Sequence, residues 1–415
     1  MIAEEWRTPP IHYLTDRYIF RFLNNKLELP IFSSSILEAE NQKHKPCEST
    51  NCMPDRIKKP VPVKELDQHF KTRGPLKETP ISIERRFHIA ADHPPKVTTR
   101  LERVERGDQK VDWQVIVEID GVRAGGRAQP PRLIGEATKI EKRKISEEQL
   151  AEQLTSFVPD HLGFNAVPLD QVKSTLGIRP LAGERRVATT LFGSDNRRAF
   201  RDTSYPWGTV GLVQTNRGSG SGVMIGPRHL LTVSHVIDWT APAGFAADWV
   251  RFTPSFFDGG APFGEAFGSH IYWYVKEDGD GFISGTEGNF DYVVVVLDRR
   301  LGDTTGWMGA RGYNDDWDNL AAWSHMGYPA DLNSGQRPTW QGGFKVDGTD
   351  AGAQAILHKA DVFPGQSGGP VFGFWAGEVG PRAIAVQSWQ NSSNNGASGS
   401  MDMRDLVAKA RTEFA

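Results

Sequence analysis

Three polar residues, widely separated along the chain, have the types needed to break an acyl bond. Ser367 sits in Gly365-Gln366-Ser367-Gly368-Gly369-Pro370. A serine hydroxyl is a poor nucleophile until a base takes its proton and donors meet the developing oxyanion. The surrounding glycines allow the backbone to turn so that the N–H groups of Gly365 and Ser367 face a bound carbonyl. Ser/Gly loops without chemistry share this string, so the base needs separate evidence. His235 follows Leu230-Leu231-Thr232-Val233-Ser234, an apolar run whose end would hold an imidazole rigidly. His229, at the polar start of the run, is the weaker candidate. Asp291 precedes Tyr292-Val293-Val294-Val295. A carboxylate entering a buried strand can reach the imidazole Nδ1–H and fix its tautomer. Asp298, at the far end of that strand, is followed by Arg299-Arg300 and reads as solvated.

Chain order narrows the chemistry. The serine string also fits a nucleophile elbow between strand and helix, whose histidine must follow the serine. The last histidine here is His358, ahead of Ser367. The base therefore comes from upstream, in the order His, Asp, Ser.

The positioning elements are short strands. Apolar or alternating runs cover Gly208 to Gln214, Gly222 to Ile225, Leu230 to Val233, Tyr292 to Leu297, Pro370 to Phe374 and Ala383 to Ser388. Gly226-Pro227, Asp258-Gly259-Gly260 and Asp347-Gly348 punctuate them. At the end of the chain, Met403, Leu406, Val407 and Ala410 share one helical face, with Ser400 as a plausible cap. This predicts a mainly β domain closed by one amphipathic helix.

Composition divides the chain near residue 186. Residues 187–415 hold ten of the twelve tryptophans, as half-buried strands would use them, and are net acidic. Residues 1–186 are net basic and read as α+β or partly disordered. Within them, 38–80 are rich in Lys, Glu, Pro and Ser and are expected to be mobile. Trp113 to Ile119 alternate like a strand, and 145–158 carry Ser146, Leu150, Leu154 and Phe157 at helical spacing. Arg185-Arg186, at the junction, is a candidate processing site.

Other classes find little support. The net charge of −3 points to neither nucleic acid nor a membrane partner, and no run approaches the length of a bilayer span. Cys47 and Cys52 could close a small loop or stay free, and no metal-ligand cluster is visible. Gly218-Ser219-Gly220-Ser221-Gly222 precedes a strand instead of opening a helix, which argues against a phosphate cradle. No cofactor is called for.

Thr232-Val233-Ser234-His235, the Asp291 segment and Gly365 to Pro370 resemble the three signature blocks of trypsin-like serine proteases. Phe192 to Arg197, Asp202 to Trp207, Gly220 to Pro227, Gly327-Tyr328-Pro329 and Phe363 to Gln366 resemble the glutamyl-endopeptidase, or V8-like, branch more narrowly. The resemblance covers about 187–415. It implies two β-barrels in the chymotrypsin-like arrangement, with a cleft between them. The implied catalytic residues are His235, Asp291 and Ser367, with Gly365 and Ser367 as oxyanion donors. The substrate would be a protein or peptide, and residues 1–186 would be a pro-region or accessory domain able to inhibit intramolecularly. Gln366 stands where trypsin-like enzymes usually carry an aspartate for the freed terminal amine, so that activation switch is closed. Asp361, Gln387, Ser388 and His358 are the pocket candidates. Asp361 has the offset of a basic-specific pocket floor, and Gln387 replaces the histidine usual in glutamate-specific relatives. Preference for Glu, for Arg or Lys, or for another residue stays open. The resemblance implies secretion, although Met1 to Arg7 show no leader pattern. The alternatives are an inactive protease-fold binding protein, which an intact triad disfavours, and a serine esterase.

Overall fold

Among the described residues, short runs rich in valine and isoleucine, broken by glycine turns, fold into three sheets. The structure is a computed structural model. It describes residues 18–21, 58–70, 96–105, 111–120, 132–140, 154–168, 192–277, 283, 285–348, 355–391 and 393–415. Cys47, Cys52, the Arg185-Arg186 pair and residues 145–153 lie outside these. Contacts divide the chain into two units: Met1–Pro54 with Pro80–Pro130, and Asp55–Thr79 with Pro131–Ala415.

The first unit contains a three-stranded antiparallel sheet. Its strands are β1 (Tyr18–Arg21), β2 (Lys96–Glu105) and β3 (Val111–Asp120), in the order β1-β3-β2. The strand expected at Trp113 to Ile119 is the core of β3.

The second unit begins with β4 (Glu136–Lys139) and β5 (Arg198–Ala199). Next come β6 (Val210–Thr215), β7 (Gly218–Gly226), β8 (His229–Thr232), β9 (Val250–Pro254), β10 (Ala266–Trp273) and β11 (Val293–Leu297). These six pair in the order β11-β8-β7-β6-β9-β10, and β10 pairs with β11 to close a barrel. The whole of β8 and β11 is buried, and β11 accordingly reads as an unbroken apolar run in place of an alternation. The second barrel is half closed. It uses β12 (Gly309–Ala310), β13 (Trp323–Gly327), β14 (Thr339–Phe344), β15 (Val346–Gly348), β16 (Ala355–His358), β17 (Pro370–Gly373), β18 (Arg382–Gln390) and β19 (Asn395–Gly399). The order is β15-β16-β19-β18-β17-β13-β14-β5, with β12 beside β18. Trp317, Trp323 and Trp375 fill its own core with Ile356, Val371 and Ile384. The chain thus has the mainly β, two-barrel chymotrypsin-like architecture.

The helix Ser400–Glu413 closes the unit and buries Met403, Leu406, Val407 and Ala410 completely. Ser400 is not its cap. It lies inside the helix at φ 69, the chain enters through Gly399, and no side chain caps the start.

Three segments ahead of residue 187 belong to this second unit. Residues 58–70 lie within the stretch expected to be mobile, yet they are docked. Val61 N–H donates to the Phe374 carbonyl at 2.8 Å, Val63 N–H to Ala321 at 3.1 Å, and the Trp375 indole to Lys58 at 3.1 Å. Leu66 is fully buried, and Phe70 packs on Phe164 and Phe374. β4 adds to β10 in parallel, with Ile134 fully buried beside it. Residues 154–158 are not helical. Leu154 is buried, and Phe157 bridges in extended form to Trp307. Each buried side chain of this size is worth roughly 1.5–3 kcal/mol. These segments therefore help to hold the two-barrel unit together.

Candidate active site

His235 and Asp291 come from the closed barrel. β8 ends at Thr232, and the single helical turn Ser234–Val236 lifts His235 out of the sheet with its side chain about one-fifth exposed. Asp291 stands two residues ahead of the buried β11, which pairs antiparallel with β8. That register brings the two residues together. Asp291 Oδ1 accepts the His235 backbone N–H at 2.9 Å, and Oδ2 meets Nδ1 at 2.6 Å. Ser388 Oγ donates to Oδ2 at 2.5 Å. The carboxylate thus has three protein donors in a dry setting, so its orientation is fixed.

The same contacts set the ionisation of the pair. Burial alone would push the His235 imidazolium to lower pKa, but the charge and hydrogen bond of Asp291 outweigh it and hold the ring above its ordinary value. Burial would raise Asp291, yet His235, Ser388 and the His235 N–H hold its carboxyl below the usual range.

Ser367 comes from the half-closed barrel, three residues before β17, and lines the same cleft as His235. Its carbonyl accepts Ser221 N–H at 2.7 Å, which ties the Ser367 loop to β7 of the other barrel. The loop is shaped by close approaches. A side chain on Gly365, at φ 98, would meet the Tyr328 carbonyl at 2.4 Å; one on Gly368, at φ 83, would meet the Ser221 carbonyl at 2.2 Å. The Pro364 carbonyl accepts Ala330 N–H at 2.9 Å. Across a trans peptide, that turns the Gly365 N–H the opposite way. Gln366, Gly368 and Gly369 N–H are all bonded to carbonyls. Among the described residues, the N–H groups of Gly365 and Ser367 have no acceptor, as oxyanion donors require.

The chain resembles a bacterial glutamyl endopeptidase. The match to the Bacillus licheniformis protein of that name is 27% identical over 205 residues, spanning 48% of this chain and 60% of the relative's length. A solved Glu endopeptidase in complex with MPD covers 54% of this chain and 99% of its own, at 20% identity and a TM-score of 0.44. The protease Anisep from Arthrobacter nicotinovorans covers 52% and 99%, at 18% identity and a TM-score of 0.41. No protein-family model matches the chain.

The cleft between the barrels has a volume of about 360 Å³. The second barrel contributes Val362 to Gly365, Ser367 and Gln387 to Gln390; the first contributes Thr215, Arg217 to Ser219, His235 and Val236. Gln387 and Ser388 line it, and the Ser388 hydroxyl is spent on Asp291. Asp361 and His358 do not line it. Asp361 faces away: Oδ1 accepts Phe192 N–H at 3.0 Å and Oδ2 accepts Asn196 N–H at 2.8 Å. The entering turn occupies the carboxylate that sequence offset would assign to a pocket floor. His358 is buried behind Gln387, its Nε2 2.8 Å from Gln387 Oε1, and desolvation pushes its pKa down to about 4. Gln387 Nε2 donates to the carbonyls of Trp389 at 3.0 Å and Gly396 at 3.4 Å. The wall on this side carries no charged side chain. Arg217, across the cleft, donates to the buried Glu277 carboxylate through Nη1 and Nη2.

The rejected candidates sit elsewhere. His229 is buried with Nε2 3.1 Å from the Ala410 carbonyl of the closing helix, and desolvation drives its pKa down to about 3. Asp298 accepts Phe267 N–H at 3.0 Å on an exposed edge. Ser221 was not legible as a site residue. Its hydroxyl donates to the Gly365 carbonyl at 2.8 Å and accepts Tyr328 N–H at 2.9 Å. Its only signal was a small polar residue between two glycines. Among the described residues, no group of side chains could hold a metal ion.

Proposed function

We propose that the chain is a serine endopeptidase acting on protein or peptide substrates through an acyl-enzyme. Ser367 Oγ attacks the scissile carbonyl while His235 Nε2 takes its proton. Asp291 keeps the other imidazole proton on Nδ1 and stabilises the imidazolium that forms. The N–H groups of Gly365 and Ser367 receive the oxyanion. Collapse breaks the C–N bond, and His235 returns the proton to the leaving amine. Water, deprotonated by the same histidine, then cleaves the acyl-serine ester. The observation that carries this reading is the Asp291–His235 hydrogen bond at 2.6 Å, opening on a cleft that also holds Ser367 and two unengaged amides.

The uncharged wall of Val362 to Pro364 and Gln387 to Gln390 favours a neutral residue on the acyl side of the bond over Glu, Lys or Arg. Residues 58–70, 132–140 and 154–168, which belong to the two-barrel unit, serve as structural members of it, and none of them lines the cleft. The test is digestion of an unstructured protein, followed by rapid acid quench and intact-mass measurement. An acyl adduct on Ser367 supports the mechanism. Hydrolysis of esters alone, with peptides untouched, would favour a serine esterase.

A further inference from the structure

The loop that carries Ser367 rests on a buried cation. The Arg197 side chain is 1% exposed. Its Nε and Nη2 donate to Asp195 at 3.0 and 2.8 Å, and its Nη1 and Nη2 donate to the two carboxylate oxygens of Asp331 at 3.0 and 2.6 Å. Nη1 also reaches Gln366 Oε1 at 3.3 Å. That amide oxygen has a second donor, the backbone N–H of Phe363, at 3.0 Å, while Gln366 Nε2 lies 3.5 Å from Thr339 Oγ1. Gln366 N–H in turn donates to the Phe363 carbonyl at 3.1 Å. Gln366 therefore closes the turn Phe363–Gln366 twice, through its side-chain oxygen and its backbone N–H, and Gly365 lies inside that turn.

We propose that Arg197 is a positioning residue for the oxyanion donors, acting through Gln366. The guanidinium is a rigid fork with five donors, suited to joining two carboxylates and an amide oxygen at fixed angles. It holds Gln366 Oε1 in place, Gln366 holds the Phe363–Gln366 turn, and the turn aims the Gly365 N–H into the cleft. The turns at 195–197 and 329–331 are tied to the nucleophile loop through one side chain. Independently, Asp361 binds Phe192 and Asn196 N–H, so the entering segment meets the nucleophile segment at two points. A buried cation belonging to the chain itself thus orders the loop, and no freed terminal amine is required at Gln366. The inference rests on the proposed serine chemistry.

The test compares the full chain with Arg197→Ala, Gln366→Met and Gln366→Glu, measuring kcat and KM on a peptide, thermal unfolding and fluorophosphonate labelling. Loss of one oxyanion donor lowers kcat by about 100- to 1000-fold. Arg197→Ala and Gln366→Met should show a loss of that order with KM changed less than about threefold. Added guanidinium should restore Arg197→Ala, and Gln366→Glu, which keeps an acceptor oxygen, should remain active. A purely structural role would lower the unfolding temperature without this kcat-specific loss or its rescue. Should Arg197→Ala not fold, Gln366→Met, which leaves both carboxylate pairs in place, decides the matter. Wild-type kcat in a folded Gln366→Met overturns the inference. Failure of the unsubstituted chain to label overturns the serine chemistry instead.

Discussion

Asp291→Asn is the most informative single change at the site. The His235 backbone N–H points at Oδ1 at 2.9 Å and cannot reverse its polarity. It therefore selects the Asn orientation that keeps the carbonyl oxygen there and turns the amide nitrogen toward Nδ1, where Oδ2 stood at 2.6 Å. An N–H group now faces Nδ1. The imidazole must carry its proton on Nε2 and loses the lone pair that would accept the Ser367 proton. The Ser388 hydroxyl can rotate to accept from the new amide, so the fold is little affected. Fixing the wrong tautomer in a triad costs about 10⁴ in kcat, close to 5.5 kcal/mol of transition-state stabilisation at 1.36 kcal/mol per tenfold. Steady-state hydrolysis of a peptide at saturating substrate measures the loss, with circular dichroism and thermal unfolding as checks on the fold. A folded variant within tenfold of the original kcat would refute the assignment of Asp291 as the orienting acid.

Further outcomes follow from the same geometry. Because Asp291 holds His235 above its ordinary pKa, and only the neutral ring accepts a proton, kcat/KM should rise with pH through a midpoint above about 6.5. A midpoint at or below that value in the free enzyme contradicts the Asp291 effect. Leu66→Ala removes a fully buried side chain and should cost about 2–5 kcal/mol in chemical denaturation with kcat retained. A change under about 0.5 kcal/mol would mean that residues 58–70 do not dock as described. On peptides differing only at the acyl-side residue, neutral side chains should give higher kcat/KM than Glu, Lys or Arg. A tenfold preference for any charged residue contradicts the uncharged wall.

The parts of the fold that sequence made legible are those with local causes. Val293 to Leu297 is buried on both faces, so its strand appears as an apolar run. Met403, Leu406, Val407 and Ala410 announce the closing helix by their spacing. Ser367, His235 and Asp291 stand out because glycines, a strand end and a strand entry each leave a local mark. What stayed hidden depends on partners distant in the chain. Leu66 and Phe70 lie among charged residues, and their burial requires the Phe374 and Ala321 segments, about three hundred and two hundred and fifty residues onward. The partners of Asp361 could not be read, because an offset from Ser367 says nothing of the Phe192–Asn196 turn that binds its carboxylate. Arg197 looks like one more surface arginine until Asp331 and Gln366 close over it.

Fluorophosphonate labelling of the full chain, with and without Ser367→Ala, tests the central claim most directly. The reagent bonds only to a serine made nucleophilic by its surroundings. The expected result is one adduct per chain, mapped to Ser367 by mass spectrometry and lost in Ser367→Ala. The same adduct should form far more slowly in His235→Ala. A folded chain that takes no label, or labels equally well in Ser367→Ala, would show that Ser367 is not an activated nucleophile.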